Sequence, residues 1–136
     1  LEFELDDFVA DCEYNRNIDV DNGQKYVHIL KEEAEALNKK LKEDDANSEQ
    51  IQFRVYPDII IHKRGQSDSE NNLLVIEVKK TSNSDSGDWD RKKLSKFTSK
   101  EQGNNFKYQY GTFVKFTVGE KPDFSIEWYK EGARFQ

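Results

Sequence analysis

Apolar and polar positions recur with different periods along the chain, and those periods predict its elements. Residues 8–16 read as a strand, entered after Asp6 and Asp7 and left at Asn15-Arg16-Asn17. Asp21 precedes Gln24 at the spacing of a helix-start pair, and Val27, Leu30, Ala34, Leu37 and Leu41 then follow at intervals of three and four. This predicts an amphipathic helix of about four to five turns whose other face is charged. Residues 43–50 are polar and acidic without periodicity, which predicts a connector. Residues 51–55 lead toward a strand at 58–62, with Pro57 interrupting the ladder between them. A turn over 63–72 then allows an antiparallel return along 73–79. After a loop at 81–87, Asp88 is placed to cap a second helix running to about Lys100, with Trp89, Leu94 and Phe97 as its sparse apolar face. Two strands close the chain, at about 110–118 and 124–129. Residues 1–5 are expected to be the last turn of a helix whose body lies upstream.

Two of these strands carry ionisable residues inside strongly apolar, β-branched runs: Tyr56-Pro57-Asp58-Ile59-Ile60-Ile61-His62 and Leu73-Leu74-Val75-Ile76-Glu77-Val78-Lys79-Lys80. Strand side chains alternate between faces, so Glu77 and Lys79 share one face while Leu74, Ile76 and Val78 line the other. If the two strands pair across the turn, Asp58 comes close to the same spot. The expectation is a divalent-metal site with an adjacent lysine. The competing expectation is an exposed strand-end salt bridge.

Length and composition narrow the setting. The 136 residues suit one domain with one core. The single cysteine, Cys12, cannot form an internal disulfide and favours a reducing, cytoplasmic location; it is expected to be a small buried residue. No apolar run reaches the length of a membrane span, so no membrane partner is expected. The net charge of −6 argues against tight non-specific adhesion to nucleic acid. Its distribution adds more: residues 79–100 hold seven basic side chains against three acidic ones, a local +4 on an otherwise acidic chain. Such a segment suits a local phosphate contact, with Lys80, Lys93 and Lys96 as its candidates, although a solvated helix face has the same composition.

The order strand, strand with Pro57-Asp58, strand with Glu77-Val78-Lys79, helix, strand resembles the PD-(D/E)xK phosphodiesterase superfamily. The segments Asp11-Cys12-Glu13-Tyr14-Asn15-Arg16 and Tyr56-Pro57-Asp58-Ile59-Ile60-Ile61-His62-Lys63-Arg64-Gly65, with the Tyr110-Gly111 region, are similar to a group of small bacterial members of it. The resemblance implies an α/β, restriction-endonuclease-like fold: a mixed central sheet flanked by helices. Residues 21–50 would then be a helical insertion between the first and second strands, leaving Glu32, Glu33 and Glu35 as surface charges.

The same resemblance implies a magnesium- or manganese-dependent nuclease acting on nucleic acid, DNA in preference to RNA, with Asp58, Glu77 and Lys79 as catalytic residues. Asp58, Glu77 and the Val78 carbonyl would hold Mg²⁺ or Mn²⁺, a hard cation suited to oxygen ligands. Lys79 would orient or deprotonate the attacking water, or stabilise the developing oxyanion. Glu13 is a possible additional acid, in place of one that the opening helix usually supplies. The alternative is a non-catalytic nucleic-acid- or protein-binding module that keeps the fold. His62 is expected at a polar strand end, His28 on the surface of the insertion, and Trp89 in the core or as a stacking platform beside the basic run.

Overall fold

The structure, a computed structural model, describes residues 7–12, 25–41, 47–64, 70–81, 86–101 and 106–136. Its strands are β1 (Val9–Cys12), β2 (Tyr26–Leu30), β3 (Gln50–Arg54), β4 (Ile59–His62), β5 (Asn72–Lys80), β6 (Tyr110–Thr117), β7 (Asp123–Lys130) and β8 (Ala133–Arg134). The helices are α1 (Lys31–Ala36) and α2 (Asp88–Thr98). The architecture is α/β, built on a mixed six-stranded sheet in the order β1-β4-β5-β6-β7-β8, with β2 and β3 forming a separate antiparallel ribbon. Every neighbouring pair in the large sheet is antiparallel except β5 and β6. That parallel pair needs a crossover, and α2 lies within it.

α2 packs on one face of the sheet and also touches β2, so it lies between sheet and ribbon. Leu94 and Phe97 are fully buried there, against Val75, Phe113 and Tyr129 of the sheet and Val27 of the ribbon. Burial of each such side chain is worth about 1.5–3 kcal/mol. Gly111 permits the close approach, since a Cβ there would stand 3.1 Å from Leu94 Cδ2. Gly87 precedes the helix with φ +82°, and a Cβ on it would meet the Phe113 ring at 2.7 Å. Gly87 is therefore the N-cap position and Asp88 the first helical residue; Asp88 and Asp90 favour this end through the helix dipole. On the side toward β7, Arg91 clamps Glu127 through two hydrogen bonds of 2.9 and 3.0 Å, which holds the Glu127 carboxyl below its usual range.

The expected helix over 21–41 is mostly something else. Residues 21–24 lie outside the described residues, 26–30 form β2, and only Lys31–Ala36 is helical. Val27 and Ile29 alternate inward while His28 pairs with Gln52 of β3. β2, α1 and β3 thus combine a ribbon with a short helix, and Val27, Ile29, Ala34 and Ile51 are core. The spacing misled because Val27, Leu30 and Ala34 fit a helical stripe, whereas the aromatic and β-branched sequence of 26–29 favours a strand. Leu30, placed on the apolar stripe, is 44% exposed.

The second face of the sheet carries the rows Val78, Val114, Ile126 and Lys80, Phe116, Phe124. Cys12 belongs to this face, opposite Ile59 on the edge strand β1, and is exposed, contrary to its expected burial. Residues 1–6 and Glu13 lie outside the described residues. Among those described, no helix is long and apolar enough to cross a membrane.

Candidate functional site

Asp58 stands immediately before β4, and the β4–β5 register pairs Ile59 with Ile76 and Ile60 with Val75. Alternation therefore places Asp58 on the face of Ile60, and Glu77 and Lys79 on the face of Val75, which is one and the same face. The expected parity holds, and so does the antiparallel pairing. Asp58 is tied down by the Val78 N–H, which donates to its Oδ2 at 2.8 Å. The Val78 side chain points to the opposite face and is exposed.

What differs from expectation is which face is covered. The Glu77 face is the one beneath α2, so Glu77 is 1% exposed and the site is no solvent-facing strand end. Nor do Glu77 and Lys79 pair with each other. Lys93 Nζ reaches Glu77 Oε2 at 3.0 Å and Asp90 Oδ1 at 3.0 Å, while Lys79 Nζ reaches Asp90 Oδ2 at 3.0 Å. The side chains of Lys79, Asp90 and Lys93 are each exposed by 13% or less. The chain Glu77, Lys93, Asp90, Lys79 thus forms an ion network between β5 and the first turns of α2.

Burial pushes the Glu77 carboxyl up to about 8, opposed by the Lys93 ammonium and reinforced by the negative charges of Asp58 and Asp90. Lys93 is raised by the carboxylates of Glu77 and Asp90 against its own desolvation. The second Glu77 oxygen, Oε1, is buried with no hydrogen-bond partner. A buried carboxylate oxygen without a donor is costly, and a proton or a cation would relieve it. Among the described residues no group of three or more His, Cys, Asp or Glu is arranged to hold a metal. Asp58 and Glu77 nonetheless suit a hard cation, because magnesium commonly takes one or two carboxylates and completes its shell with water and phosphate oxygens.

Asp90 and Lys93 are the two residues that sequence reasoning missed as members of this cluster. Positions 90, 93, 94 and 97 fall on one face of a helix, and 94 and 97 are apolar, so the signal was present in the chain. Lys93 must therefore be reassigned: it is buried in ion pairs, not presented outward as a phosphate contact. The basic segment as a whole does not form one face. Lys80 is exposed on the far face of the sheet, Lys96 is half-buried on α2, and Lys100 pairs with Glu131.

His62 is the last residue of β4, at the polar strand end expected, and is buried there with its Nε2 2.7 Å from Asp11 Oδ2. Arg64 also pairs with Asp11, and the hydrogen bonds from Arg64 and then His62 hold that carboxyl well below the usual carboxylate range. Trp89 packs edge-on against Phe53 at 5.4 Å, with Lys39 Nζ 4.0 Å from its ring, so its indole joins core and ribbon. Comparison of the chain with protein-family models, with curated proteins and with solved structures finds no significant match.

Proposed function

We propose that the protein is a divalent-metal-dependent nuclease with a restriction-endonuclease-like core, in which Asp58, Glu77 and Lys79 form the reaction centre. The observation that carries this reading is the convergence of Asp58 and Glu77 on one sheet face, with Lys79 next along that face. The strand pattern is compatible with it: β1, β4 and β5 run antiparallel, and α2 then leads to β6 parallel to β5. Asp58 and Glu77 would hold Mg²⁺ or Mn²⁺. When bound, the ion neutralises charge on the phosphoryl group and makes water more acidic.

The protein's own groups do the rest. Asp58 is oriented by the Val78 N–H, and Asp90 holds the Lys79 ammonium by its ion pair. Lys79 would orient the attacking water or stabilise the oxyanion. The test is cleavage of single- and double-stranded DNA and RNA with Mg²⁺, Mn²⁺ or chelator, comparing wild type with Asp58→Asn. DNA cleavage that needs both the cation and Asp58 is expected. Cleavage that survives chelator or Asp58→Asn refutes the assignment.

A second reading is a non-catalytic binding module. The deep burial of Glu77 and its pairing with Lys93 favour it, because a structural ion network has the same appearance. Calorimetry separates the two: nucleic-acid binding without any divalent-cation binding selects the module.

A further inference from the structure

We infer that Lys93 is a resident counter-cation of the Glu77 site and competes with an incoming divalent cation for that carboxylate, so that this lysine sets the site's metal affinity. The inference rests on the reading of Asp58 and Glu77 as cation ligands. Lys93 Nζ occupies one oxygen of Glu77 at 3.0 Å, while the other oxygen is buried without a partner. The carboxylate is thus half satisfied and still open to a further positive charge. Lys93 also has somewhere to go, because its second ion pair, to Asp90 Oδ1, is as short as the first. Released from Glu77, it keeps a carboxylate partner without moving into solvent.

Charge supports the exchange. Asp58, Glu77 and Asp90 bring three carboxylates to a cluster with two ammonium groups, Lys79 and Lys93. A lysine fixed beside a cation site opposes binding by direct repulsion and by occupying ligand oxygens. Its removal relieves both, and it also leaves the buried Glu77 carboxylate without compensation, which strengthens the demand for a cation.

The test is Mn²⁺ binding by calorimetry and by thermal shift, for wild type, Lys93→Met and Lys96→Gln. Lys96→Gln removes an equal charge from the same helix at a residue outside the network of Glu77, Lys93, Asp90 and Lys79, and so sets the baseline for long-range electrostatics. Lys93→Met should bind Mn²⁺ at least about tenfold more tightly than wild type, beyond any gain in Lys96→Gln. It should melt lower than wild type without metal and recover with Mn²⁺. Equal affinities in Lys93→Met and Lys96→Gln overturn the inference while leaving the metal site standing. Absence of Mn²⁺ binding in all three proteins overturns the metal reading and the inference with it. If Lys93→Met does not fold even with Mn²⁺, Lys93→Arg decides: it keeps the charge and can grip Glu77 through two donors, so it should bind Mn²⁺ more weakly than wild type. Affinity equal to or above wild type in that variant overturns the inference.

Discussion

Replacing Glu77 with glutamine tests whether this carboxyl is governed by its burial or by Lys93. Burial moves it from 4.5 to about 8, so between those values the native state holds a proton that the unfolded chain has released. Stability from this group is therefore fully present below pH 4.5, declines as pH rises, and is gone above about 8. At about 1.4 kcal/mol per pH unit the whole displacement amounts to at most about 4–5 kcal/mol. Glutamine has the same shape, stays neutral, and keeps an oxygen that can accept from Lys93. Glu77→Gln should therefore match wild type near pH 5 and exceed it by up to about 4 kcal/mol near pH 9.

The assay is urea unfolding of both proteins at intervals from pH 5 to 9, in metal-free buffer at constant ionic strength. Because both are compared at the same pH, every other titrating group cancels to first order. A difference that stays constant within about 0.5 kcal/mol over the whole range refutes the reasoning. It would mean that the Lys93 ion pair keeps Glu77 ionised throughout and that attraction outweighs desolvation at this spot.

Other measurements address the rest of the network and surface. Saturating Mn²⁺ or Mg²⁺ should raise the melting temperature, adding about 2.7 kcal/mol at one hundred times the dissociation constant; Asp58→Asn should abolish the shift, and an equal shift in both proteins removes Asp58 from the metal site. Lys79→Ala should keep or strengthen cation binding while cleavage falls by about a hundredfold or more; unimpaired cleavage would show that the activity belongs to other residues. Burial pushes the Lys25 ammonium from 10.5 down to about 8, partly offset by Asp11, so the native state binds fewer protons than the unfolded chain in that window and stability should rise with pH by up to about 3 kcal/mol. Lys25→Met should remove that rise, and its persistence would place its source elsewhere. Lys80→Glu and Lys96→Glu, measured separately, should show which face carries weak, salt-sensitive nucleic-acid binding, with Lys40→Glu inert; equal losses in all three would mean that net charge alone is read.

The legible and illegible parts of this molecule differ for a physical reason. Strand parity is a local property, so the shared face of Asp58, Glu77 and Lys79 follows from alternation and one antiparallel pairing, both visible in the chain. The strands β4 to β7 and the helix α2 are equally open, because each has a run of one period bounded by Gly, Pro or polar residues. The ribbon strand β2 was not, since Val27, Leu30 and Ala34 satisfy a helical stripe while Val27 and Ile29 satisfy an alternating one, and packing against α2 decided between them. Packing also decides the character of the site. Alternation says that Glu77 and Ile76 face opposite ways, but it is silent on which face receives a helix. α2 comes down on the Glu77 side because Leu94, Phe97 and the glycine at 111 let it approach Val75 and Phe113 there. Asp90 and Lys93, one turn earlier, are then carried over the carboxylate. The same docking that buries the apolar stripe thereby dehydrates Glu77 and supplies its counter-charge, so the proton affinity and the cation demand of this site are products of the α2 interface rather than of the strand that bears the residue.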